Sequence, residues 1–156
     1  MTLSPARGKR GVATVEMAIV TPLLIFLLFA IVEFGVLMRD IISVHEAARE
    51  GTRAAVIGAT TTTVMGRTNS ALAPLDCAVA QVALEYRVWN FTTSTWGGWQ
   101  TLTDTGAANV ATPGDQIRVT VTYPHKILIP GLFGSWADDA TPDVKRVRAA
   151  TVMRRE

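Results

Sequence analysis

Residues 17–32 read MAIVTPLLIFLLFAIV, a run with no charged side chain. With its apolar flanks, residues 12–38, it makes about 27 residues of helix, roughly 40 Å at 1.5 Å per residue. That is enough to cross a bilayer with some tilt. Arg7, Lys9 and Arg10 precede the run, whereas Arg39 is offset by Asp40 just after it. This asymmetry places the short N-terminus in the cytoplasm and everything after the helix on the outer side. A cleavable secretory signal also begins with basic residues and an apolar core, but this core is too long and no A-x-A site follows it. The expected product is a single-pass protein of a bacterial-type inner membrane, in contact with membrane lipid.

The chain has 156 residues, which leaves room beyond the anchor for one small domain. Its apolar fraction of 49% is ordinary, but the average merges a lipid-like first third with a remainder that alternates apolar residues with Thr, Gly and charge. The net charge of +2 comes from separate clusters near the two ends. Read along the chain, no broad basic stripe with interleaved aromatics is present, so nucleic acid is not among the expected partners. Cys77 is the only cysteine, and no Cys/His group has zinc spacing. Cys77 reads as a small buried apolar residue, with intermolecular pairing as the alternative. No metal and no cofactor are expected.

Glu16 sits about four residues inside the apolar segment. A charge near the bilayer centre costs about 2.5–3.5 kcal/mol, and less toward the interface. Its context is Lys9-Arg10-Gly11-Val12-Ala13-Thr14-Val15-Glu16: basic residues, a glycine, then a glutamate five positions on at the start of a long apolar helix. This resembles the class III leader of type IV pilins and pseudopilins, which a prepilin peptidase cuts directly after the glycine. The resemblance implies a cut between Gly11 and Val12, with Glu16 as the fifth mature residue, pairing with the free α-amino group of a neighbouring subunit. The physical chemistry is compatible. Gly11 lets the backbone approach a peptidase closely. The new α-ammonium, with a usual pKa of about 7.7–8.0, is mostly protonated at neutral pH and so can partner a carboxylate in an apolar bundle. The other reading of Glu16 is a residue snorkelling to the cytoplasmic headgroups.

Within that superfamily the chain is similar to the TadE-like minor pseudopilins of tight-adherence (Flp, type IVb) pilus systems. Residues 11–58 carry most of the likeness: Gly-x-x-x-x-Glu, then Ile19-Val20-Thr21-Pro22-Leu23-Leu24, Val32-Glu33-Phe34-Gly35 and Ala47-Ala48-Arg49-Glu50-Gly51-Thr52-Arg53. Residues 115–124 and 149–154 add to it. Met17 departs from the pattern, since processed members usually carry an aromatic after the glutamate. The resemblance implies a prepilin peptidase, other pilins or pseudopilins and inner-membrane pilus assembly proteins as partners, and roles in adhesion or secretion. Pro22 removes the hydrogen bond its N–H would give Ala18, so a kink is expected there, as an ordinary feature of a membrane helix or as an aid to bending during extraction and packing. Glu33, roughly 32 Å beyond Val12, should lie at the outer interface.

The helical pattern continues past the membrane. Ile41, Val44, Ala48 and Ala55 keep a 3- to 4-residue spacing, Glu46/Arg49 and Glu50/Arg53 form i,i+3 pairs, and Gly58 suits a C-cap. A polar break at residues 60–63 precedes a short helix marked by Val64, Thr68 and Leu72 and ended by Pro74. Period-two alternation marks strands at Val82, Leu84, Tyr86 and Val88, at Ile117, Val119, Val121 and Tyr123, and over residues 147–153. Trp96-Gly97-Gly98-Trp99 reads as a hairpin turn, with Trp89, Trp96 and Trp99 in cross-strand packing or on a contact surface. Asp138, Asp139 and Asp143 lack the alternating spacing of a cation loop and read as solvated. The expected fold is α+β: a single long N-terminal transmembrane helix that continues outside the membrane and packs on a small antiparallel sheet. The expected divisions are a leader at 1–11, the transmembrane helix at 12–38, its extension at 39–58 and a small domain at 59–156.

His45 and His125 stand apart, and no serine or cysteine lies in a nucleophile motif, so catalysis is not expected. Three readings remain: a processed minor pseudopilin, an unprocessed bitopic scaffold of the pilus assembly machine, and an unrelated extracytoplasmic binding or sensor domain. The last leaves Gly11 and Glu16 unexplained.

Overall fold

The computed structural model describes residues 8–73, 75–138 and 143–156. Arg7, Pro74 and Asp139 lie outside the described residues, as do the side chains of Lys9 and Arg10. The chain divides into two compact units, Met1–Val36 and Leu37–Glu156.

The described part of the first unit is one stretch of helix. Helix α1, Gly8–Val56, begins there and passes Pro22 with no break in its helical assignment. Its large apolar side chains are exposed, from Val12 and Ile19 to Leu28 and Ile31. The most apolar 18-residue window has a mean hydropathy of 2.6 and none of it is buried. Glu33 is buried, at 3% exposure.

The second unit is a small α+β domain. Its part of α1 buries a stripe of small residues, Val44, Ala47, Ala48, Gly51, Thr52, Ala54 and Ala55, as a 3.6-residue period requires. Gly58, with φ +87°, ends the helix, and its N–H bonds Ala55 O at 3.0 Å. Helix α2, Thr61–Leu72, buries the expected Val64, Thr68 and Leu72. The polar break before it is a cap: the Thr60 hydroxyl accepts from Thr63 N, and the Asp104 carboxylate accepts from Thr61 N and from the Thr61 hydroxyl, both at 2.7 Å.

Eight strands follow: β1 Gln81–Arg87, β2 Trp89–Asn90, β3 Thr95–Trp96, β4 Gln100–Thr101, β5 Asp104–Thr105, β6 Ala108–Asn109, β7 Gln116–Lys126 and β8 Val144–Arg154. The main sheet runs β4-β1-β7-β8, antiparallel throughout. Ile117, Val119 and Val121 of β7 are fully buried with Val44, Ala48 and Leu72 in a single core. Two short ribbons, β2–β3 and β5–β6, stand beside the sheet. A one-turn helix, α3 Pro130–Phe133, and a 3-10 turn, Gly134–Trp136, lie between β7 and β8.

Several contacts differ from the local reading. The aromatic hairpin turns at residues 91–94, not at Gly97-Gly98: Trp89 faces Trp96 across it, and Ser94 takes a positive φ of 51°. Gly97 and Gly98 instead link β3 to β4, with Gly97 N donating to Val88 O at 2.9 Å. Glu50 pairs with Arg67 of α2 at 3.2 Å, a partner beyond the reach of i,i+3 reasoning. Cys77 is free and only half-buried, and its thiol donates to Asn69 O at 3.2 Å. Asp138 is taken up by Lys145 at 2.5 Å and by the backbone N–H of Arg146. No group of His, Cys, Asp or Glu suited to hold a metal occurs among the described residues.

Candidate processing and assembly site

Two of the first four described residues of α1 are glycines, Gly8 and Gly11. Glycine costs a helix about 1 kcal/mol relative to alanine. The two glycines weaken this first turn. A Cβ added at Gly11 would meet nothing within 4 Å among the described residues.

Gly11, Val12, Val15, Glu16 and Ile19 line one shallow surface of the bare helix. Their spacing, i, i+1, i+4, i+5 and i+8, is that of a single helical face. Val12 and Glu16 are one turn apart on it, about 6 Å along the axis. Glu16 is exposed, and the side chains around it on that face are apolar. The face can offer a carboxylate to a cation brought by another molecule.

Residues 11–53 match the sequence model of the TadE-like protein family. Over that segment the chain is similar to TadE-like proteins. No curated protein and no solved structure matches it. TadE-like proteins are Tad-pilus-associated and pseudopilin-like, with other pilus components as partners. The exposed apolar helix fits an association with membrane.

The other predicted positions are scattered. Pro22 lies within α1, two turns beyond the Glu16 face. Of the leader, the described residues carry only the backbone of Lys9 and Arg10. Sequence reasoning did not find a buried polar contact of the second unit, between Asp40 and His125. The Asp40 carboxylate, 3% exposed, accepts from Arg39 Nε and Nη2 at 3.0 and 2.9 Å through one oxygen. Its other oxygen lies 2.7 Å from Nδ1 of His125, which is 2% exposed. His125 is 85 positions from Asp40, so nothing local joins them. The one available signal was His125 keeping the inward parity of Ile117, Val119, Val121 and Tyr123 on β7. An ionisable group on a core face needs a partner. His45 is exposed and belongs to no such cluster.

Proposed function

We propose that this chain is a minor pseudopilin of a Tad (Flp, type IVb) pilus, cut by a prepilin peptidase between Gly11 and Val12 and assembled through the helix that starts at Val12. Its N-terminus is cytoplasmic, and residues 39–156 lie on the outer side of the inner membrane. Arg7, Lys9 and Arg10 hold the leader at the cytoplasmic surface. The observation that carries this reading is that Gly11, Val12 and Glu16 share one exposed face of α1. After the cut, Val12 carries an α-ammonium one turn from Glu16. Neighbouring subunits in register then exchange ammonium and carboxylate, and each buried charge finds a partner.

N-terminal sequencing of the protein from native membranes tests the cut, with Val12 as the expected first residue. Gly11→Leu should block it by placing a branched side chain where the peptidase needs bare backbone. Glu16→Ala should insert at least as well as the parent, because it removes a charge from lipid. It should also leave the neighbour's ammonium unpaired, at a cost of several kcal/mol, and so lower association by two orders of magnitude or more. Glu16→Gln isolates the charge, since it retains size and hydrogen bonding. Normal pili from both Glu16 variants, cut and present at normal levels, would refute the pairing.

Met17 supports a second reading, in which the chain stays uncut as a scaffold of the assembly machine. A native N-terminus at Met1 or Thr2, in cells that carry the peptidase, would select it.

A further inference from the structure

One face of the main sheet packs on the core, and the other carries a concentration of positive charge. Residues directly opposite across an antiparallel pair share a face. The register therefore puts Arg87, Arg118, Lys126, Arg146, Arg148 and Arg154 together on the outer face, with Glu85 opposite Arg118. Glu85 neutralises Arg118 through a 2.6 Å contact. Arg146, Arg148, Arg154 and Lys126 are exposed. Along the chain these residues are spread over positions 87–154, so no basic stripe is visible until β1, β7 and β8 are paired.

Aromatic side chains interleave with the cations at one end. The Trp99 ring has the Arg118 guanidinium 4.1 Å and the Arg87 guanidinium 4.6 Å from its centroid. Arg87 also lies 5.0 Å from the Trp96 ring, which meets Trp89 edge to face with centroids 5.0 Å apart. Trp89, Trp96 and Arg154 line a cleft of about 330 Å³ with Phe91, whose side chain is 84% exposed. At the other end, Thr122, Gln81 and Arg146 line a second cleft of about 220 Å³. Between the ends lies a low floor: Ala83 and Ala150 flank Thr120, which is 4% exposed and whose hydroxyl has no hydrogen-bond partner among the described residues.

We propose that this face binds single-stranded nucleic acid. A cationic track with aromatic platforms is what a single strand uses, phosphates following the charge and bases stacking on the rings. Arg146 and Arg148 are two residues apart on one strand, about 6.6–6.8 Å, a step that lets successive phosphates of an extended chain be met in turn. An acidic protein segment would satisfy the charge but leave the exposed Phe91 and the Trp89–Trp96 cleft unused. The inference goes beyond pilus assembly and does not depend on cleavage at Gly11.

The test is fluorescence anisotropy of a labelled 20-nucleotide oligothymidylate with the full chain in uncharged detergent micelles. Binding should weaken as salt rises, with a log–log slope of about −0.7 per phosphate contacted. Arg146→Glu with Arg148→Glu should weaken it tenfold or more and flatten that slope. Phe91→Ala should weaken it about 5- to 150-fold by loss of one stacked base, with the slope unchanged. Arg53→Glu, on the exposed side of α1, should change neither. All four substituted positions are exposed, and unchanged circular dichroism establishes that the variants fold. Polyphosphate or polyglutamate of equal charge competing as well as the oligonucleotide would overturn the proposal in favour of a generic acidic partner. Equal binding by the Arg146/Arg148 variant, or tighter binding of the same sequence as a duplex, would also overturn it.

Discussion

Helix α1 passes through both units, and its two parts treat apolar residues in opposite ways. Up to Val36 it carries Leu, Ile and Phe pointing outward, and the most apolar window is entirely exposed. From Leu37 it carries Ala, Gly, Thr and Val pointing inward, and most of these are fully buried. The first pattern suits a helix whose solvent is lipid, where large apolar side chains belong on the outside. The second suits a helix in water that must lie close to a sheet. A close approach needs small residues, and Gly51 marks the tightest point: a Cβ there would fall 2.3 Å from the Thr68 hydroxyl oxygen and 3.2 Å from a Val119 methyl. The same helical period thus serves two solvents, and residue size tells which one each part meets.

The sharpest way to break this contrast is one substitution made at two exposed isoleucines. Ile25→Arg, mid-way along residues 12–38, should cost membrane insertion about 2.5–3.5 kcal/mol. Fractionation should find the protein displaced from the membrane or degraded. Ile57→Arg, at a site 75% exposed at the end of α1, should change unfolding stability by less than about 0.5 kcal/mol. Equal effects at the two sites would mean that exposure has the same meaning in both units.

Gly51→Ala probes the inward-facing part. It gains about 1 kcal/mol of helix propensity but overpacks a filled core, at a cost of about 1–3 kcal/mol. Denaturant unfolding followed by tryptophan fluorescence should report net destabilisation. Thr68→Ala in the same chain removes the clashing oxygen, so the double variant should be more stable than the two single losses sum to.

Asp40→Ala should lower stability by about 1–3 kcal/mol, because it leaves the buried His125 Nδ1 without its partner. Asp40→Asn should lose less, since it keeps an acceptor in place. The same denaturation experiment orders the three proteins, and an unchanged midpoint for Asp40→Ala would show the pair to be dispensable.

The smallest effect belongs to the exposed Asp138. Its hydrogen bond from Lys145 holds the carboxyl below its ordinary value of 3.8 against an opposing effect of desolvation, with further lowering from the Arg146 N–H and the Lys145 and Arg146 charges. A depressed folded-state pKa gives stabilisation that is present above 3.8 and lost as the pH falls through the folded value. Lys145→Ala should move the carboxyl back toward 3.8 in an NMR titration and remove that acid-range dependence.

How much was legible beforehand follows the range of each interaction. Val64, Thr68 and Leu72 announced α2, and alternating residues announced β1, β7 and β8, because helix and strand periods are local properties. The short strand β4 carries no alternation to read, being two residues held by pairing with β1 at Glu85 and Tyr86. The Gly97-Gly98 pair looked like a turn because glycine permits one, yet Trp89 pairing with Trp96 put the turn at residues 91–94. At the candidate site, Gly11, Val12 and Glu16 were fully visible, since they lie within two helical turns of one another.

By itself the sequence determined that this chain has a lipid-compatible helix with a misplaced glutamate and that an α+β domain follows, because size, charge and period are written residue by residue. Only the tertiary structure decided that Asp40 meets His125, that Glu50 turns to Arg67, and that six scattered cations share one sheet face with Trp89, Trp96 and Trp99. The reason is register. Which residues stand opposite one another across β1, β7 and β8 is set by how the whole sheet closes over Gly51, and a slip of one residue would turn every side chain of a strand to the other face.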